Sequence, residues 1–336
     1  MGLLNPADPG FSLMGVVNVT PDSFSDGGRF LDADAAIAHG RRLAREGADV
    51  LDVGGESTRP KGKVYGEGAL PVSEDEELRR VLPVVERLAA SGATVSIDTV
   101  KPGVARAALE AGARVVNDVS AFRSAPEMAG VVAEAGADCC LMHMLGDPRT
   151  MQADPRYDDV VSDVKAFLEE RVAFAVSEGV PEERILLDPG IGFGKTLEHN
   201  LELLRRLDEL VAIGRPVVVG TSRKSFLGAI TGREVGQRLP GTIATNVLAL
   251  ERGATVFRVH EVSPVRDALK VALATVRPGW RATISSSRRS SSRLCATVLP
   301  KPMPGSSITR SSAMPSPTAK ARRSGRNALT SSTTSP

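Results

Sequence analysis

Short runs of β-branched and apolar residues alternate along this chain with longer stretches in which apolar residues recur every three or four positions. The short runs fall at 12–17 (SLMGVV), 49–53 (DVLDV), 94–98 (TVSID), 114–118 (RVVND), 138–143 (DCCLMH), 184–188 (RILLD), 216–220 (PVVVG) and 256–260 (VFRVH). Strand-length runs with little polar alternation suit a parallel sheet covered on both faces. Between them, Val161, Val164, Leu168, Val172 and Ala175 mark one helix, and Leu197, Leu201, Leu204 and Val211 mark the next. The segments EGAD, AGAR, AGAD and RGAT precede the second, fourth, fifth and eighth runs and carry the glycine that ends a helix before a strand. Eight such units in about 260 residues predict a (β/α)8 TIM barrel, an α/β fold, with a doubly wound open sheet as the alternative.

A barrel keeps its chemistry at the C-terminal ends of its strands, so the residues that close each run are the candidates. Asn18 follows the first run. Asp52 lies in the second, with Glu56, Thr58 and Arg59 beyond it. Asp98 ends the third, Asn117 and Asp118 the fourth, His143 the fifth and Asp188 the sixth. Ser222, Arg223 and Lys224 follow the seventh, and Arg258 and His260 sit in the eighth. Every strand delivers polar groups to one rim. Arg258 and His260 are two apart, so both project to the same face of their strand and suit an anion.

The stretch LLDPGIGFGKT (186–196) has the end of a phosphate-binding loop, Gly194-Lys195-Thr196, but Pro189 occupies the position of the required first glycine. Proline supplies neither the N–H nor the backbone freedom, so an ATP loop is not expected. Lys195 reads as a solvated loop lysine and Phe193 as a wall of a ring pocket. His39 and His199 fall in helical segments and read as surface residues; His143 has no assigned role.

Charge divides the chain. Residues 278–336 hold ten Lys or Arg and no Asp or Glu, whereas residues 1–277 hold 32 basic against 40 acidic groups. The tail is rich in Ser, Thr, Pro and Arg, lacks periodicity, and cannot bury enough apolar surface to offset its ordering entropy, so it is expected to be disordered. The expected domains are therefore a barrel over 1–277 and a basic tail over 278–336. Ser/Arg-rich tails can bind nucleic acid; without interleaved aromatics, nucleic acid is not an expected partner here. Cys139, Cys140 and Cys295 give neither a disulfide framework nor zinc spacing, and the adjacent pair reads as core. No apolar run approaches a membrane span and no signal peptide opens the chain, so a cytoplasmic protein without membrane contact is expected.

Seven blocks carry a family resemblance: MGVVNVTPDSFSDGG (14–28), GADVLDVGGESTRP (47–60), SIDT (96–99), NDVS (117–120), LDPGIGFGK (187–195), SRKSFLG (222–228) and RVHEV (258–262). In this order they resemble the dihydropteroate synthases over residues 11–276. The resemblance implies a reaction that joins 4-aminobenzoate to 6-hydroxymethyl-7,8-dihydropterin pyrophosphate and releases pyrophosphate, with Mg²⁺ present and a homodimer as the assembly.

A pterin edge presents an amino group beside a ring N–H, which an acceptor-only carboxylate can bind through two hydrogen bonds. Asp188 is the candidate for it, with Asn117 and Asp98 on other ring nitrogens and Phe193 beside the ring. Arg258 and His260 are expected on pyrophosphate, and Asn18 as the neutral oxygen ligand of magnesium. Lys224 would contact the pterin and wall the aminobenzoate slot, and Ser225, at the start of a helix, would hold the aminobenzoate carboxylate. Phe24 and Asp26 of the first loop, and Thr58, Arg59 and Pro60 of the second, are expected to fold over the site. Lys224, Asp98, Asp26 and Arg59 form the expected catalytic group. The segment KGKVYGEGALPVS (61–73) departs from the family's usual shorter stretch. Two other readings stand beside the first: a catalytically idle pterin-binding paralogue, and a pterin-dependent methyltransferase, which has no need of STRP or SRKSF.

Overall fold

A computed structural model of the chain describes residues 10–20, 29–57, 71–148 and 150–276. Its strands are β1 Ser12–Asn18, β2 Val50–Gly54, β3 Val95–Asp98, β4 Val115–Asp118, β5 Asp138–Met142, β6 Ile185–Asp188, β7 Val218–Val219 and β8 Val256–Val259. Its helices are α1 Arg29–Glu46, α2 Glu74–Ala89, α3 Pro102–Glu110, α4 Met128–Ala135, α5 Val160–Ser177, α6 Leu197–Arg205, α7 Leu207–Val211, α8 Ser225–Thr231, α9 Leu239–Glu251 and α10 Val262–Val276. The tail expected from Pro278 onward lies outside the described residues.

The paired strands are parallel, in the order β6-β5-β4-β3-β2-β1-β8-β7. The two ends of that order meet through one bridge, Leu187 to Val217, where the Leu187 N–H donates to the Pro216 carbonyl at 3.0 Å. The expected (β/α)8 barrel is thus the observed architecture. Local chemistry explains the helices. Ser73 caps α2 through the Glu76 N–H, and Glu74, Asp75, Glu76 and Glu77 fill its first turn, where the helix dipole favours negative charge. Asp159 caps α5, Pro102 starts α3, and Gly136, at φ 58°, ends α4 in the left-handed conformation. The apolar period at 197–211 predicted one helix, but the chain breaks at Arg206, whose φ of −112° leaves helical geometry.

Strand parity positions the site. Met14, Val50, Val115, Cys140, Leu186, Val218 and Val256 form one cluster, the floor inside the barrel. Because successive side chains alternate, the same inward face two residues later carries Asp52 after Val50, Asn117 after Val115, Asp188 after Leu186 and Arg258 after Val256. Leu13, Val17, Leu51, Val53, Ile97, Val116 and Leu187 point the other way, into the larger core beneath the helices. Asp118 also has that outward parity. Its carboxylate accepts from the Ser120 and Phe122 N–H groups and the Ser120 hydroxyl, so it shapes a turn and stands apart from the inward set.

Candidate active site at the barrel rim

The rim encloses a cleft of about 370 Å³, lined among others by Asn18, Asp98, Asn117, Asp188, Phe193, Lys224, Arg258 and His260. Eight of the residues expected from sequence therefore come together. Ser225 opens α8 as expected but is not among the lining residues. Phe24, Asp26, Thr58, Arg59 and Pro60 lie outside the described residues.

At the centre is a charge network. Arg258 donates from Nε to Asp52 Oδ2 at 2.6 Å and from Nη2 to Asp98 Oδ2 at 2.8 Å, and Asn117 Nδ2 donates to the same Asp52 oxygen at 3.1 Å. Asp52 is fully buried, and its Oδ1 has no hydrogen-bond partner among the described residues. Burial works against the Arg258 charge, but Asp52 and Asp98 outweigh it and hold its pKa above the ordinary value. Burial raises Asp98 to about 7 despite Arg258, with Asp52 adding to the rise. Sequence reading gave Asp52 no role. Its signal was a carboxylate at an inward position inside a buried strand, where an unpaired charge is prohibitively costly.

Asp188 is buried, and Oδ1 accepts the Gly190 N–H at 2.7 Å. Burial raises its pKa, opposed by that N–H and by Lys224, Arg258 and Lys195. His260 was expected as one of the fixed positive donors, and here the structure changes its chemistry. Burial, then Arg223, Arg258 and Lys224, lower its pKa to about 3, so it is neutral. Ser222 Oγ accepts the His260 backbone N–H at 3.3 Å and lies 2.9 Å from Nδ1. The hydroxyl can donate to Nδ1 or accept from it, and in either tautomer the neutral ring is held in place at the cleft.

Lys224 caps α8, and its Nζ lies 3.9 Å from the centroid of the Phe193 ring. Burial, then Arg258, bring its pKa down to about 8. The preceding residue, Arg223, has φ 60°, an uncommon conformation for a side chain of that size. It is held there by the Arg238 guanidinium on its carbonyl at 2.9 Å and by Thr242 Oγ1 on its N–H at 3.3 Å.

Three histidine and lysine expectations are corrected. Lys195 is 3% exposed, not solvated, and its Nζ meets His143 Nδ1. His39 is half-buried beneath β1, with Nε2 3.2 Å from the Val16 carbonyl, and His199 completes a capping box with Thr196 at the start of α6. These roles depend on acceptors far away in sequence or on helix ends, so a position inside a periodic segment did not disclose them. The cysteine expectation stands: Cys139 and Cys140 are buried and unpaired.

An inward ring of carboxylates, an amide, an arginine and two further nitrogen groups over an apolar barrel floor is the site of a barrel enzyme that binds a hydrogen-bonding small molecule. Residues 14–260 match the family described as "Pterin binding enzyme", and the chain belongs to it. It is 44% identical over 265 residues to the dihydropteroate synthase of Escherichia coli (strain K12), covering 79% of this chain and 91% of that one. It is 48% identical over 275 residues to that of Mycobacterium leprae (strain TN), covering 80% and 94%. Among solved structures, the Xanthomonas albilineans dihydropteroate synthase with 4-aminobenzoic acid superposes with TM-score 0.74 at 49% identity, covering 80% of this chain and 95% of that one.

Proposed function

We propose that the protein is a dihydropteroate synthase, a transferase of folate biosynthesis that joins 4-aminobenzoate to 6-hydroxymethyl-7,8-dihydropterin pyrophosphate. The observation that carries this reading is the convergence of Asp188, Asn117, Asp98 and Arg258 on one cleft at the C-terminal ends of four strands. Asp188, with Oδ2 still open, accepts the pterin's amino and ring N–H groups, while Asn117 and Asp98 serve other ring nitrogens. Phe193 lies beside the ring. Arg258, oriented by Asp52 and Asp98, and the neutral His260 ring hold the pyrophosphate.

The bond between the pterin methylene carbon and the pyrophosphate oxygen breaks with its electrons leaving on oxygen, through a loose, carbocation-like transition state. The neutral aniline nitrogen supplies the pair for the new C–N bond, and its proton is shed to water. Lys224 walls the aminobenzoate slot. Phe24, Asp26, Thr58, Arg59 and Pro60, which lie outside the described residues, are assigned the task of keeping water from the cation.

Among the described residues, no group of three or more His, Cys, Asp or Glu is arranged to hold a metal ion. Asn18, an exposed amide on the cleft at the end of β1, fits a magnesium ion that takes most of its ligands from water and phosphate oxygens. Bound there, magnesium would neutralise charge on the leaving group. Mixing the purified chain with both substrates is expected to yield dihydropteroate, with at least about tenfold less in excess chelator. No product with magnesium present would reject the reading and leave the idle paralogue.

The reading includes a homodimer working in the cytoplasm. No described helix is long and apolar enough to cross a membrane. Supporting the dimer, a groove of about 590 Å³ between α9 and α10 is lined by Val247, Leu250, Val271 and Ala272, and Val271 is 68% exposed. Apolar side chains in such a groove favour a protein partner. Val271→Asp is expected to convert the dimer to monomer in sedimentation velocity; an unchanged sedimentation coefficient would place the interface elsewhere.

A further inference from the structure

We propose that Lys195 is a positioning residue for the pterin site: it fixes the turn between β6 and α6 so that Phe193 is held against Lys224. This rests on the reading of the cleft as a pterin pocket. The turn, residues 189–195, runs directly over the backbone that follows β5. A Cβ on Gly190 would stand 1.9 Å from the His143 carbonyl oxygen, and one on Gly194 would stand 2.7 Å from Leu145 Cβ. Both glycines have positive φ, 68° and 63°, so only glycine allows this approach.

Lys195 is the side chain that ties the two backbones together. Its Nζ lies 2.9 Å from His143 Nδ1, 2.9 Å from the Phe193 carbonyl and 3.4 Å from the His143 carbonyl. An ammonium has three N–H donors, and three acceptors surround it. The acceptors are themselves fixed. The His143 ring packs edge-on against Phe167 at 4.8 Å, and its pKa is lowered to about 2, by burial and then Lys195, so the ring is neutral and its Nε2–H tautomer offers Nδ1 to the ammonium.

Other bonds hold the flanks of the turn: Gln152 Nε2 to the Gly192 carbonyl at 2.8 Å and the Tyr157 hydroxyl to the Gly194 carbonyl at 2.7 Å. The Lys195 bond fixes the Phe193 backbone itself, at its carbonyl. Phe193 packs on Val119, Met142, Met144 and Met151 and presents its ring to the Lys224 ammonium. A lysine kept only for packing could be replaced by an apolar chain of equal length, and burying its charge works against it: burial draws its pKa down to about 7, with Asp188 opposing. Its value to the protein therefore lies in what its three hydrogen bonds hold in place.

The test is a double-mutant cycle on dihydropteroate formation, using Lys195→Met, Phe193→Ala and the pair. Lys195→Met is expected to raise KM for the pterin pyrophosphate about five- to tenfold with kcat within about twofold, the pattern of lost ground-state binding. In the Phe193→Ala background the same change is expected to add less than about twofold, because the ring it positions is gone. Product formation by the unaltered chain is the control; its absence would strike the dihydropteroate reading and not this one. An unchanged KM for Lys195→Met, or losses that multiply fully in the pair, would overturn the proposal. If Lys195→Met is unfolded at the assay temperature, Lys195→Gln is judged by the same criteria.

Discussion

Asp188→Asn is expected to weaken binding of the pterin alcohol at least about tenfold, equivalent to about 1.4 kcal/mol. One carboxylate oxygen is committed to the Gly190 N–H at 2.7 Å, and the amide oxygen of asparagine can take over that bond. Its NH₂ is then forced into the position of the open oxygen, facing two N–H donors of the pterin edge. A buried donor left without an acceptor costs about 1–3 kcal/mol, and here a donor meets donors. Backbone geometry is preserved, so the thermal midpoint should hold while affinity falls. Calorimetric titration with the pterin alcohol reads the effect; an unchanged dissociation constant would remove Asp188 from the pterin edge.

Arg258→Ala is expected to lower stability by about 3–5 kcal/mol at pH 7.5, the usual consequence of removing one partner from a buried ion pair. Asp52, fully buried, would keep only the Asn117 amide on Oδ2 and nothing on Oδ1. Asp98 would lose the group that now restrains its upward shift. A carboxyl raised from 3.8 to about 7 binds more protons in the folded state, so its contribution is present at low pH and is lost as pH rises through about 7. Without Arg258 the pKa climbs further, and the penalty grows across and above neutrality. Urea denaturation at pH 5.5 and 7.5 should therefore show a smaller deficit at the lower pH. Pyrophosphate affinity should fall as well. Wild-type stability at both pH values would mean that Arg258 is not the counter-ion of this network.

The barrel and most of its site were legible because they rest on local rules. Strand runs and glycine stops put Asn117, Asp188 and Arg258 at strand ends on one rim, and the family resemblance added their roles. The same rules overextended the PVVVG run, of which only Val218 and Val219 form a strand, since ladder length depends on the neighbour and not on the run. They also left Lys195 in solvent and His143 without a role. Both are defined by a contact spanning 52 residues, and nothing in either local sequence announces the other. Asp52 was visible as a rim carboxylate, but its task is to steer Arg258 across a separation of 206 residues, a pairing that only barrel closure creates.

The short β7 and the single bridge from Leu187 to Val217 give the ring one weak seam. Asp188 ends the strand on one side of it, and Lys224 follows the strand on the other. A pterin that touches both is a staple across the gap. Occupancy is then expected to stiffen the barrel at this seam, so that amide protons on both sides of it exchange more slowly when the cleft is filled. Gripping a pterin and finishing the wall would then be one event.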